Sequence, residues 1–452
     1  MKRLGNSAVV LGAGVAGLAA ARVVSEFYDT VTIVERDVLP DGPQYRRGVP
    51  QARHLHGLLL GGMQALTQLF PGLDDELRQA GTAVSEEGDL SRISLWTRGH
   101  EMNRSGRFSR PDSLKFWFPS RVVLESTIRQ RVTSIDNVSI LGGYDAMDLI
   151  IEAPRGVTGV RIALRDNGVE RRLHADLVID ATGQGSRLPL LLENHGYARP
   201  ALQQTRRPFS YASQWLRLPP GAVREKLLMR QPDPGCFIGA AVQRAEHDTW
   251  VFSVTNTAGE NPPPDRNGML AYAGELFPPE TVQVLRDAEP LTEVARHRHP
   301  GPFWHRYDRM RRFPSGLLVI GDAICSLNPI FGQGMSVSAC EAVALRDCLA
   351  EGDRDLARRF FRRSTEVVRP LWVSYLQFDW AVFDRTGWRT VPQRLWRWWF
   401  DRICAGLERD ITMAEAFLRV QQLVDPPSRV TWPALRSLLT VPSSQAHRPS
   451  GE

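Results

Sequence analysis

No apolar run in the 452 residues approaches the roughly eighteen needed to cross a membrane as a helix. Cysteine is scarce: Cys236, Cys325, Cys340, Cys348 and Cys404 are odd in number and show no metal-ligand spacing. That pattern excludes a disulfide framework and a structural zinc site, and it predicts reduced thiols in a cytoplasmic protein. Lysine is almost absent, with only Lys2, Lys115 and Lys226 among 56 basic residues. The net charge of +6 is therefore carried by scattered arginines. They form no compact basic stripe along the globular chain, which argues against nucleic acid as a partner. A hydrophobic content of 42% with 23% charged residues is ordinary for a soluble protein. The length predicts two or three domains.

What is present begins at residue 8. Ala8-Val9-Val10-Leu11 reads as a buried strand, and Gly12-Ala13-Gly14-Val15-Ala16-Gly17 follows it. Leu18 to Val24 continues as a helix, and Val31-Thr32-Ile33-Val34 is a second strand ending at Glu35-Arg36. This is the order of a dinucleotide-binding βαβ unit. Gly12 allows the tight turn, Gly14 lets backbone approach a pyrophosphate, and Gly17 lets helix and strand pack closely. The phosphates rest on the helix N-terminus, where unpaired N–H groups favour negative charge. Glu35, about twenty residues on, can accept the adenosine ribose hydroxyls. A secretory signal, suggested by Lys2 and Arg3, fits poorly because glycines interrupt the apolar segment and a second strand follows.

The loop from 37 to 50 leads to Gln51-Ala52-Arg53-His54-Leu55-His56. Arg53, at a loop-to-helix junction, is a candidate phosphate clamp. His54 and His56 lack the further ligands a metal needs, so no metal is expected. Residues 82–118 read as irregular, and Ser120 as the N-cap of a helix beginning at Arg121. Asp166-Asn167-Gly168 between two strand-like runs predicts a hairpin. Asp176 to Gly183 is a further strand ending in a glycine turn, and Gly316 to Ala323 another, ending in Gly321-Asp322. Beyond it, a loop through Pro329, Gly332, Gly334 and Met335 leads into a helix expected from about Ser336 to Leu349, whose N–H groups can face a developing negative charge. The expected domains are a dinucleotide-binding α/β domain from 1–185 and 290–365, an inserted sheet domain at 186–289, and a helical region at 366–452. The helical tail holds seven of the twelve tryptophans. Packing over a pocket is the favoured reading of that tail, and contact with a membrane surface the less favoured.

Taken together, Gly12 to Gly17 with Glu35-Arg36, the Asp176 to Gly183 turn, and Gly321-Asp322 with Pro329 and Gly332-Gln333-Gly334 resemble flavoprotein monooxygenases of the para-hydroxybenzoate hydroxylase fold. Residues 48–56 and 180–186 further resemble bacterial epoxidases of polyether biosynthesis and, more distantly, squalene epoxidase. The resemblance spans roughly residues 5–350. It implies a Rossmann-like α/β fold with an inserted mixed sheet, and non-covalent FAD. Gly12, Gly14, Val15, Ala16 and Gly17 would lie at the pyrophosphate, and Glu35 and Arg36 at the adenosine. Arg53 and Arg121 would hold the phosphate and ribityl region and Asp322 a ribityl hydroxyl, with Pro329, Gly332, Gly334 and Met335 along the isoalloxazine.

By the same resemblance a flavin C4a-hydroperoxide would deliver one oxygen atom to a small hydrophobic substrate, with molecular oxygen as co-substrate. Thr182-Gly183 stands where the aromatic hydroxylases usually carry Asp-Gly. NAD(P)H or a separate reductase is therefore expected as electron donor. No base for activating a phenol can be placed, which favours epoxidation of an alkene in secondary metabolism over aromatic hydroxylation. No catalytic side chain is assigned. A non-catalytic FAD-fold protein of the Rab GDP-dissociation inhibitor kind is the alternative outside enzymes.

Overall fold

A computed structural model describes residues 3–205, 207–383 and 391–429. The tail's Trp388 and Trp432, and Lys2 at the start, lie outside them. The first strand, β1 (Gly5–Leu11), runs into helix α1 (Val15–Val24) and returns as β2 (Tyr28–Glu35). β1 is the centre of a five-stranded parallel sheet in the order Leu317–Val319, Leu177–Asp180, β1, β2, Val138–Gly142. Three separate stretches of chain thus return to one sheet. Val9 and Val10 of β1 are buried, as a parallel strand covered on both faces requires. Helix α2 (Arg121–Thr133) begins where expected, with Ser120 Oγ accepting from Val123 N.

The Asn167-Gly168 turn joins strands Gly156–Leu164 and Glu170–His174, and Gly168 takes the positive φ that the turn demands. A separate eight-stranded sheet is built around Phe209–Arg217, Leu227–Arg230, Ile238–Arg244 and Thr249–Asn256. It extends beyond 186–289 at both ends. Ala295–His299 pairs with Phe209–Arg217, and Ile93–Thr97 lies parallel to Leu227–Arg230. Residues 93–101, read as irregular, form a short hairpin whose turn places Arg98 and Gly99 at φ 52° and 75°. Arginine carries no signal for that conformation.

Helix α3 (Gly334–Ala350) packs between α1 and the long helix α4 (Leu356–Phe383). Helices α5 (Val391–Arg409) and α6 (Ile411–Gln421) complete the tail. Leu407, Met413 and Leu418 form a core with Ile93, Phe116 and Leu227, so the tail is tied to the sheet domain. No helix among the described residues is long and apolar enough to cross a membrane.

Candidate functional site: a glycine-walled cleft and an apolar chamber

The carboxyl ends of β1, Leu177–Asp180 and Leu317–Val319 open on one cleft of about 780 Å3, where an α/β sheet holds its ligand. The glycines shape its floor. A Cβ on Gly17 would lie 1.8 Å from the carbonyl oxygen of Gly12, so α1 can reach β1 only without one. Gly12 has φ +100°, and its Cβ would meet Ala181 O at 2.7 Å. Gly14, by contrast, faces open space except for the Arg121 guanidinium 3.7 Å away. Val15 and Ala16, in the first turn of α1, also line the cleft.

Glu35 is buried at the end of β2. Its Oε2 accepts from Ala13 N at 2.7 Å and its Oε1 from Asp37 N at 3.0 Å. Arg46 sits beside it, bridging Glu35 at 3.1 Å, Asp37 at 3.1 Å and Glu125 at 2.8 Å. Those carboxylates hold the Arg46 guanidinium charged despite its burial. The network fixes the loop 37–50 against the glycine turn. Arg36 also lines this end of the cleft.

Arg121 projects from the first turn of α2 into the cleft. Its Nη2 lies 3.6 Å from Glu125, while its buried Nε has no hydrogen-bond partner in the protein. A buried, unpaired guanidinium N–H on a side chain beside a glycine turn suits an anion. Its charge also reaches Asp322, His56 and Tyr211. Arg53 does not join it. The structure places Arg53 on the surface, outside the cleft, with its guanidinium 4.8 Å over the Tyr45 ring.

At the opposite end, Asp322 lies beside the start of α3, where a Cβ on Gly334 would be 3.5 Å from its Oδ1. Burial raises its carboxyl pKa, opposed by Arg121 and Gln184. Gly321 is held from behind: its N–H donates to Glu341 Oε2 at 2.7 Å, and Ser364 Oγ donates to Glu341 Oε1 at 2.5 Å. Burial pushes Glu341 up to about 7. Asp180 accepts from Thr182 N at 2.9 Å and from Ser186 Oγ at 2.5 Å, so it ties the second glycine turn together. Pro329, Gly332, Gly334 and Met335 line the cleft, with Gly332 at φ +62°. The α3 N-terminus carries no side-chain cap, so its N–H groups stay available to a ligand.

The facing wall has no counterpart in the sequence motifs. His54, Tyr211, His297 and His299 come together on it from segments distant in sequence. His54 and Tyr211 meet edge-on with centroids 4.4 Å apart, and His54 Nδ1 lies 2.9 Å from Ser213 Oγ. Burial lowers the imidazole pKa of His54 to about 3 and those of His56 and His299 to about 4. They are neutral at physiological pH and leave positive charge in the cleft to its arginines, Arg121 among them. Their signal was only the alternation of His297 and His299 on a strand.

Behind the loop 328–333 lies a chamber of about 640 Å3. Leu55, Gly57, Met229, Gln231, Pro329, Ile330, Gly332 and Gln333 border both spaces. The chamber is walled by Trp96, Phe116, Trp117, Phe331, Phe378 and Trp399, among others. Its described lining contains no Asp, Glu, His or Lys, and its one arginine, Arg369, is exposed.

A five-stranded parallel sheet with this inserted sheet and helical tail is the fold of flavin-dependent halogenases and monooxygenases. The flavin-dependent brominase Bmp2 is 14% identical at a TM-score of 0.65, covering 92% of this chain and 93% of its own. The chain belongs to the family of protein Rv3254 of Mycobacterium tuberculosis. It is 36% identical to that protein over 440 residues, 94% of this chain and 91% of the other. Kynurenine 3-monooxygenase of Salinispora tropica is 26% identical over 377 residues, 79% of this chain and 76% of that enzyme. No family model matches the chain.

Proposed function

We propose that the chain is an FAD-dependent monooxygenase that inserts one oxygen atom into an uncharged, hydrophobic substrate, by epoxidation of an alkene. The observation that carries this reading is the pairing of two spaces across one loop. A glycine-walled cleft with an unpartnered buried Arg121 Nε adjoins an apolar chamber whose described lining has no Asp, Glu, His or Lys. The residues present suit FAD. Gly12, Gly14, Gly17 and Arg121 would hold the pyrophosphate, Glu35 and Arg36 the adenosine, and Asp322 a ribityl hydroxyl. Pro329 and the α3 N-terminus would lie along the ring system. Bound and reduced, FAD would supply the activation of dioxygen.

The chain's own work is placement, charge and dryness. The α3 N-terminus and Arg121 offset negative charge in the cleft. The neutral histidines add no competing cation. The aromatic walls hold an apolar substrate and exclude water, which strengthens every electrostatic contact at the boundary. No chamber side chain is placed to take a phenolic proton, and none but the exposed Arg369 could anchor a substrate carboxylate. That supports an alkene over a charged aromatic substrate. Aromatic hydroxylation is the second reading, supported by the likeness to kynurenine 3-monooxygenase. Against halogenation, Lys115 pairs with Glu86 and Lys226 with Glu87, and neither lines either space.

The test supplies NADH, NADPH or a reductase with labelled dioxygen and compares polyenes with phenols. A labelled epoxide, or the diol from its opening, is expected. Label in phenols alone, with alkenes untouched, overturns the proposal.

A further inference from the structure

The aromatic residues of α5 face two ways. Trp396, Trp399 and Phe400 wall the chamber, whereas Trp398 is 52% exposed. Arg394, Trp398 and Arg402 fall at i, i+4 and i+8, one outer stripe of the helix. Arg394 is exposed, and the Arg402 guanidinium lies 4.9 Å over the Trp398 ring. On α4, Val373 and Trp380 are 44% and 46% exposed. Arg369, Val373 and Ser374, all exposed, also belong to the chamber wall, so the apolar space reaches the surface there. Packing over a pocket therefore accounts for three of the four aromatic side chains of α5 and leaves Trp398 unexplained.

We propose that the outer face of α4 and α5 docks on an anionic lipid surface, with the chamber mouth turned towards it. Large exposed apolar side chains between arginines are the make-up of a helix lying in the interface plane. The charge is of the sign that anionic headgroups attract, and the chain as a whole carries +6. Continuity with an apolar chamber gives such docking a use, since a water-insoluble substrate would pass from lipid to protein without crossing water. That use rests on the monooxygenase reading; the docking itself does not.

The experiment sediments the flavin-loaded protein with vesicles of phosphatidylcholine alone, or of equal phosphatidylcholine and phosphatidylglycerol. Binding to the anionic vesicles only, weakened by salt, is expected. Each arginine at such a surface is worth about fivefold in partitioning, so Arg394→Glu with Arg402→Glu should lower it about twentyfold or more. Trp398→Ser should weaken binding to both salt-free and salt-containing anionic vesicles. Flavin content and thermal midpoint serve as controls for folding, and no turnover is needed. Absence of binding, or equal binding by the variants, overturns the proposal. So does a dimer that Trp398→Ser dissociates without any effect of vesicles, which would make this face a contact between copies.

Discussion

The two spaces on either side of loop 328–333 are built on opposite principles. The cleft is made by backbone: glycines remove side chains so that N–H groups and strand ends can be approached, with Arg121, Arg46 and the acids around them supplying charge beside the glycine turn. The chamber is made by side chains: ring after ring covers the backbone, and charge is kept at the rim. A polar, phosphate-bearing ligand suits the first and an apolar one the second. Their shared wall is where chemistry between the two would occur. The contrast teaches that cofactor affinity and substrate fit can be broken separately.

The largest effect is expected at Gly17. A methyl group 1.8 Å from the Gly12 carbonyl cannot be relieved by turning a side chain, so α1 must shift away from β1. Gly17→Ala should cost about 3 kcal/mol or more in stability and abolish flavin retention. Denaturant melts and flavin absorbance would show it; a stable, yellow variant would contradict the packing argument.

Next come the charged groups of the cleft. Arg121→Gln and Asp322→Ala should each weaken FAD by about 1.5–3 kcal/mol, the worth of a hydrogen bond to a charged group. Glu35→Gln should cost less, because Gln keeps an acceptor for Ala13 N and Arg46 retains Asp37 and Glu125. Titrating FAD into the three apo variants ranks them, and equal losses would count against the assignment. By contrast, Phe331→Ala removes an edge-on contact with Phe378 at 5.1 Å on the chamber side. It should raise the substrate KM while leaving FAD affinity within about 0.5 kcal/mol.

Much of the cleft was legible because backbone geometry writes itself into residue type. Glycines at turns, an acid at a strand end and an N-cap serine are each demanded by local conformation, and those elements stand where the spacing put them. Arg46 and the histidine wall were not legible, since they meet through folding of distant segments. Arg53 shows the same limit from the other side. Its sequence position suggested the phosphate, but the segment Pro50–Arg53 turns its side chain outward onto Tyr45. The hairpin at 93–101 is not legible because its strands are short and its turn carries arginine.

Acidity sharpens the comparison further, since the cleft holds carboxyls and imidazoles and the chamber's described lining holds neither. Unfolded histidine binds a proton near pH 6.5, whereas His54, His56 and His299 resist it until about 3 to 4. Stability should therefore be full above about pH 6.5 and decline as pH falls towards 4. Glu341 works in the opposite sense. Its proton is held to about pH 7 in the fold but lost near 4.5 when unfolded, so its contribution fades as pH rises between them. Glu341→Gln should make the rise in stability from pH 4.5 to 7 steeper, read from thermal midpoints across that range. The smallest effect belongs to Arg53→Ala, expected to change FAD affinity by less than about 0.5 kcal/mol.

The central claim is that the glycine-walled cleft is an FAD site independent of the chamber behind it. Its most direct test is calorimetric titration of FAD into apo protein, followed by acid precipitation of the loaded form. One FAD per chain, released intact by acid, bound as tightly by Phe331→Ala as by the unaltered chain and more weakly by Arg121→Gln, is the predicted result. No binding, flavin left on the precipitate, or unchanged affinity in Arg121→Gln would contradict it.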